Sequence, residues 1–145
     1  MKALIQRVKS ASVVVGGELV GEIDQGILLF LGVEKHDDTV LVDRILTKIL
    51  KYRIFEDENG RMGRSLQDIQ GGLLVVSQFT LAADTKKGTK PSFSSAASPE
   101  HGRSIYDCFV EKAQKAHDRV ATGRFGADMK VSLLNDGPVT FMFEL

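Results

Sequence analysis

Apolar and polar residues alternate at period two along much of the chain, and each alternating stretch predicts a strand. Leu4 to Val8 and Ser12 to Val15 are the first two, and Gly16-Gly17 turns the chain into a third, Glu18 to Ile23, so the sheet opens as a meander. Ile27-Leu28-Leu29-Phe30-Leu31 is apolar throughout, the pattern of a central strand covered on both faces. Leu41, Ile45, Leu46, Ile49 and Leu50 then recur at helical spacing behind the candidate caps Asp37, Asp38 and Thr39, which predicts a helix to about Lys51. Arg53 to Phe55 reads as a short strand closed by the turn Glu56-Asp57-Glu58-Asn59-Gly60. Arg61 to Gln70 has no regular period, and Gly71-Gly72 restarts the sheet at Leu73-Leu74-Val75-Val76.

The second half of the chain follows the same grammar. Ala82 to Ser98 lacks an apolar period and is rich in Ser, Thr, Lys and Gly; a loop of that length in a compact domain is uncommon and often functional. Ser98-Pro99-Glu100 supplies a cap with proline at the first helical position. The helix it opens carries Ile105, Phe109, Ala113, Ala116 and Val120 on one face and ends at Gly123. Met129 to Leu134 and Val139 to Phe143 alternate again, joined by the polar turn Asn135-Asp136-Gly137-Pro138-Val139-Thr140 at the rim of the sheet. Together these elements predict one α/β domain over residues 1–145, a strongly curved, barrel-like, mostly antiparallel sheet with two main helices.

Composition narrows what such a domain does. At 145 residues the chain suits a single core, since roughly 68–70% of the unfolded surface is buried at that size. The 19 basic residues match 19 acidic ones, which argues against wrapping long stretches of nucleic acid, so that any RNA partner would be gripped locally. The apolar run of Met1-Lys2-Ala3-Leu4-Ile5 breaks at Gln6-Arg7, too early for a signal peptide, and no stretch approaches the ~20 apolar residues of a membrane span. A cytoplasmic protein with no membrane contact is the expectation. Cys108 is the single cysteine and sits on an apolar helix stripe, the place of a buried thiol. His36, His101 and His117 stand apart from one another and from any Cys-x-x-Cys or His-x-x-x-His pattern, so no metal site is expected, and the phosphate-loop and dinucleotide fingerprints that would announce a cofactor are missing.

Two stretches carry candidate chemistry. In Asn135 to Thr140, Pro138 has no N–H and Gly137 permits close backbone approach, leaving both carbonyls free to point outward. The plain reading is an Asp-Gly hairpin turn that ends in proline. In Ser77-Gln78-Phe79-Thr80-Leu81, a buried strand turns abruptly polar and sets hydroxyl, amide and backbone N–H groups where a ligand can meet them. Arg7, within the first strand, is either a solvent-facing charge or, since a guanidinium donates to two carbonyls at once, the clamp that holds the carbonyls of the Gly137-Pro138 turn. Lys86-Lys87-Gly88-Thr89-Lys90 is either a solvated loop or a phosphate contact at a pocket mouth. Phe125 either packs beneath its loop or stacks on an RNA base.

These segments, with Ala3 to Val8, Tyr52-Arg53-Ile54-Phe55, Thr80 to Asp84 and Thr122-Gly123-Arg124-Phe125, give the chain a close resemblance over its whole length to the D-aminoacyl-tRNA deacylases. The resemblance implies a homodimer with the site at the subunit interface. It implies hydrolysis of the ester of D-aminoacyl-tRNA at the RNA's 3′ end, glycyl esters included. Ser77, Gln78, Phe79 and Thr80 would form the catalytic edge, with backbone N–H groups as an oxyanion hole and the terminal ribose 2′-hydroxyl assisting the water. Gly137 and Pro138, joined by a cis bond and inserted from the partner subunit, would place their carbonyls where an L-residue carries its side chain, so that selection is by exclusion. Arg7 would fix that gate. The chain departs from the family at Gly63, where asparagine is common, which touches only a polar contact from the 61–65 loop.

Two other readings fit the same residues. One is a non-enzymatic module that binds RNA 3′ ends in the same pocket, and the other a hydrolase of small esters with Thr80 as nucleophile. A Ser-His-Asp triad leaves no local trace in sequence, but neither Ser77 nor Thr80 lies in a Gly-x-Ser-x-Gly elbow.

Overall fold

The computed structural model describes residues 1–145. β1 (Lys2–Val15) is one strand, not the two that the break at Lys9-Ser10 suggested, and its length lets it serve several partners. β2 (Glu18–Ile23) pairs antiparallel with its second half, and β3 (Gly26–Gly32) antiparallel with its first half. α1 (Thr39–Lys51) starts where Asp38 accepts a hydrogen bond from the Leu41 N–H at 2.9 Å, and ends with Lys48 and Lys51 in the last turn, where cations suit the helix dipole. It buries Val42, Ile45, Leu46, Ile49 and Leu50.

The short strand expected at Arg53 to Phe55 is displaced to β4 (Phe55–Glu56), which pairs with β5 (Met62–Arg64) across the predicted turn. Gly63 lies in β5, and a Cβ there would sit 2.2 Å from an Asp57 carboxylate oxygen. That carboxylate accepts from the N–H groups of Asn59 and Arg61, so the space an asparagine would need is taken by the group that shapes the turn. The supposedly irregular segment also holds α2 (Leu66–Ile69), a single turn closed by a reciprocal cap in which Ser65 and Asp68 each accept the other's backbone N–H.

β6 (Gly72–Ser77) lies parallel to β3, and a 3₁₀ turn (Phe79–Ala82) follows it. α3 (Pro99–Ala116) begins at Ser98, whose hydroxyl accepts from the His101 N–H at 3.2 Å. It stops at Ala116 rather than near Gly123, because Val120 leaves the helix to open β7 (Val120–Thr122), parallel to β6. β8 (Lys130–Glu144) closes the chain as one strand antiparallel to β1. The anticipated hairpin is therefore absent: both flanks of Asn135 to Thr140 run in one direction along the same partner.

The sheet order is β2-β1-β3-β6-β7 with β8 on the other edge of β1, and it curls until β2 meets β7. Gly21 makes that meeting possible, since a Cβ on it would lie 2.3 Å from the Thr122 carbonyl oxygen. The result is a single-domain α/β fold, a nearly closed, barrel-like mixed sheet with three helices. Alternate side chains sort to its two faces. Ile27, Leu29, Leu73 and Val75 meet α1 and α3 in the larger core, while Leu28, Leu74, Val8 and Val13 fill the inside of the curl. Burial on both faces is why β3 and β6 read as unbroken apolar runs. No helix is long and apolar enough to cross a membrane.

Gly21→Ala tests the closure. Backbone at Thr122 cannot yield as a flexible side chain would, so the variant is expected to lose roughly 1–3 kcal/mol, seen as a lower urea midpoint at unchanged slope.

Candidate active site

Where β6 leaves the sheet, its last residue and the 3₁₀ turn form one wall of a cavity of about 490 Å³. Ser77, Gln78 and Phe79 line that wall, and Val33, Ala97 and Phe125 are also in the lining. The volume falls within the ~300–1,000 Å³ usual for small-molecule and cofactor sites. The apolar lining with a few polar groups at one edge suits a flat aromatic ligand bearing a polar end.

The polar edge is built by main chain. Gln78 N–H is held by the Leu31 carbonyl at 2.8 Å, which ties the turn to the neighbouring strand. The first bond inside the turn runs from Leu81 N–H to the Gln78 carbonyl at 3.1 Å. The N–H groups of Phe79 and Thr80 precede it and have no acceptor within the turn. The strand end expected at Ser77 to Leu81 is thus a helical turn, and a turn gathers successive N–H groups on one side where a strand would alternate them. The Thr80 hydroxyl accepts from the Gln78 side-chain amide. Gln78 is the side-chain partner of that hydroxyl, while His101 donates to the Asp37 carbonyl and His117 to the Gly71 carbonyl. No three His, Cys, Asp or Glu side chains converge anywhere in the chain.

Phe125 packs beneath its loop, the plainer of its two anticipated roles, and also reaches the cavity. Its half-buried ring packs on Tyr106 with centroids 5.5 Å apart, and its free face belongs to the cavity lining. The Arg103 guanidinium stands 5.8 Å from the same ring. Tyr106 donates its hydroxyl to the Val75 carbonyl at 3.0 Å, and burial, with a smaller contribution from the Asp107 charge, pushes its phenol from 10.0 up to about 12.

The second candidate stretch lies elsewhere. Val8 pairs with Asn135 and Gln6 with Thr140, so Asp136, Gly137, Pro138 and Val139 all stand opposite Arg7 alone and are pushed out of the sheet as a bulge. Asn135 closes its neck, accepting from Val139 N–H at 2.7 Å and donating to Val139 O and Thr140 Oγ1 at 3.2 Å each. Arg7 braces the base. It donates to the Asp136 carbonyl at 2.8 Å and to the Ile54 carbonyl at 2.7 Å, not to the carbonyls of Gly137 or Pro138 as anticipated. The latter two residues are exposed, their peptide bond is cis, and Gly137 has φ +148, a conformation that favours glycine.

Neither Arg7, Gly137 nor Pro138 lines the cavity of its own chain. Lys86 and Lys87 are exposed on a small hairpin closed by mutual backbone bonds between Asp84 and Ser92. That hairpin springs from the segment joining Phe79 to Ala97, two residues that do line the cavity. Sequence reasoning missed Ala97, Tyr106, Met129 and the Ile54 carbonyl, since each reaches its place only through tertiary packing.

The family described as D-Tyr-tRNA(Tyr) deacylase matches residues 4–144. The chain belongs to that family. It is 61% identical over 145 residues to the D-aminoacyl-tRNA deacylase of Ectopseudomonas mendocina (strain ymp), covering 100% of both chains. It is 60% identical over 144 residues to that of Stutzerimonas stutzeri (strain A1501), covering 99% of each. Among solved structures, the c-Myc DNA Unwinding Element Binding Protein superposes with a TM-score of 0.96 at 42% identity, over 100% of this chain and 99% of that one.

Tyr106 provides a pH signature for the cavity wall. Its folded value lies above the ordinary 10.0, so its contribution to stability is complete below that pH and is lost as pH rises toward about 12, the unfolded chain releasing its proton first. Unfolding measured across that window should show a steeper decline for the parent than for Tyr106→Phe.

Proposed function

We propose that the protein hydrolyses the ester bond of D-aminoacyl-tRNA, releasing the D-amino acid and free tRNA. What carries this reading is membership of the deacylase family together with a cavity lined by Ser77, Gln78 and Phe79, with Thr80 next in the same turn. The terminal nucleoside enters the apolar cavity with its base against Phe125, and the ester carbonyl turns toward the N–H groups of Phe79 and Thr80. An aminoacyl ester is already labile, and one oxyanion donor contributes ~10²–10³ in rate. A positioned water, assisted by the ribose 2′-hydroxyl, completes the reaction without a side-chain base. Lys86 and Lys87 lie on the hairpin beside this edge and supply contacts to the RNA backbone. A tRNA substrate places the enzyme in the cytoplasm.

Chirality is read by the bulge of a second copy of the chain. The carbonyls of Gly137 and Pro138 approach the substrate α-carbon on the side where an L-residue carries its side chain, and Arg7 and Asn135 keep the bulge from retreating. Two features support the homodimer. β8 pairs only with β1, leaving a strand edge of 15 residues open, and Leu133, Leu134 and Met142 are exposed along it. Because exclusion acts on the L side alone, D-side chains of many kinds are accepted, and so is glycine.

Purified protein is expected to deacylate D-tyrosyl-tRNA and spare L-tyrosyl-tRNA; protection of both esters would indicate a binding module instead. Thr80→Ala should retain substantial activity, whereas abolished turnover with intact binding would make Thr80 a nucleophile. Arg7→Lys cannot reproduce two carbonyl bonds from one planar group, so the D-over-L ratio should fall about tenfold or more, in line with the large effect of small misplacements. An unchanged ratio would remove the bulge from the selection.

A further inference from the structure

Two aromatic rings stand together in solvent beside the cavity. Phe79, in the 3₁₀ turn after β6, is 63% exposed and Phe93 is 42% exposed, and they are the two aromatics among the chain's exposed large apolar side chains. Their ring centroids lie 5.2 Å apart with the planes tilted by 47°. Phe79 belongs to the cavity lining and Phe93 does not, so the pair extends the apolar wall beyond the lining.

Main-chain bonds hold Phe93 in that place from both sides. Ahead of it, Asp84 and Ser92 exchange backbone hydrogen bonds at 2.7 and 3.0 Å and close the neck of the 84–92 hairpin. Behind it, Ala96 N–H donates to the Phe93 carbonyl at 3.1 Å, and Ala97 N–H donates to the Val33 carbonyl at 3.1 Å, which fastens the turn to the residue after β3. The ring is kept in water by a braced backbone.

The hairpin ahead of Phe93 is basic. Between residues 80 and 99 the chain carries three lysines, Lys86, Lys87 and Lys90, against one acid, Asp84. All three lysines are exposed, while the Asp84 carboxylate accepts from the Lys86 backbone N–H at 2.9 Å. Aromatic faces beside a lysine-bearing hairpin match a single-stranded nucleic acid, whose bases stack on rings while its phosphates meet cations. An apolar partner surface would account for the rings and leave the lysines without a role.

We propose that Phe79 and Phe93, with Lys86, Lys87 and Lys90, form a second nucleotide subsite, where the base of the unpaired nucleotide next to the terminal one stacks on Phe93 and its phosphate meets the hairpin lysines. The subsite rests on the reading that the terminal nucleoside of D-aminoacyl-tRNA occupies the cavity. Stacking tolerates any base, so the subsite adds affinity for a single-stranded end without reading its sequence. The added grip lies away from the reacting carbonyl, and its loss weakens binding rather than chemistry.

The parent, Phe93→Ala, Phe93→Trp and Lys90→Ala are assayed with D-tyrosyl-tRNA and with 3′-O-(D-tyrosyl)adenosine, which has no second nucleotide. Phe93→Ala is expected to raise KM for the tRNA about tenfold, the scale of one base–aromatic stack, with kcat and the kcat/KM of the adenosine ester both within about twofold of the parent. Phe93→Trp should keep the parent's KM. Lys90→Ala should flatten the dependence of log KM on log salt by about 0.7, the value for one phosphate of a single strand. Equal losses on both esters would mean that Phe93 only supports the Phe79 turn, and a shift to monomer in sedimentation of Phe93→Ala would assign the rings to a subunit contact; either result overturns the proposal. Uncharged tRNA carrying 2-aminopurine at the next-to-last position gives a readout free of hydrolysis, since its fluorescence should be quenched by the parent and not by Phe93→Ala. Hydrolysis by the parent without quenching removes the subsite and leaves the deacylase reading standing, whereas quenching without hydrolysis of either ester keeps the subsite and removes that reading.

Discussion

β1 is paired along both of its edges, and the rest of the molecule follows from how those edges are divided. One edge is shared by β3 over residues 2–8 and β2 over residues 11–15, so the sheet turns a corner at the middle of a single strand and begins to curl. The other edge belongs wholly to β8. Arg7 lies on the β3 half of β1, facing the larger of the two irregularities in the ladder with β8. A strand committed on both sides cannot slip its register without turning every buried residue outward. The mismatch of length between β1 and β8 is therefore expelled as a bulge rather than absorbed. The same division leaves the far edge of β8 without a partner. Bulge and open edge are thus two consequences of one pairing.

Much of this was legible in the chain. The unbroken apolar runs of β3 and β6 announced strands buried on both faces, and the caps at Asp38 and Ser98-Pro99 marked the starts of α1 and α3. What failed to show is instructive. The polar pair at Lys9-Ser10 suggested a break in β1, but both residues are exposed and the strand passes through them with only a register shift against β8. Alternation on either side of Asn135-Asp136-Gly137-Pro138 suggested a hairpin, since sequence records which residues are extended and not which neighbour they pair with. Val120 matched the helical period of α3 by coincidence of spacing. The cap at Ser65-Leu66-Gln67-Asp68 was present as a pattern and went unread because only one helical turn follows it.

The site divides in the same way. Ser77, Gln78, Phe79 and Phe125 are brought together because β6 and β7 are parallel neighbours whose ends open toward α3, an arrangement set by long-range topology. Arg7 could be singled out as an arginine in a strand, yet its second acceptor, the Ile54 carbonyl, belongs to a segment that touches it only after α1 has returned to the sheet. Arg7 thereby fastens the bulge to the loop after α1 and to its own strand, so the bulge inherits the stiffness of three elements.

Rigidity of this kind matters because the proposed discrimination is made by exclusion. An attractive contact loses strength gradually as its partner drifts, but a steric barrier disappears once the blocking atoms can move aside by an ångström. Backbone oxygens suit the task, since a side chain has rotamers to escape into and a braced main chain has none. The proposed catalytic edge follows the same logic: the donors assigned to it are N–H groups of a turn held by the Gln78 to Leu31 and Leu81 to Gln78 bonds, not side chains that must find their geometry. The even balance of 19 basic and 19 acidic residues then has a simple place in the account. In the proposed mode the ester end is gripped in a shaped cavity and read by fixed backbone, so little long-range electrostatic attraction is required.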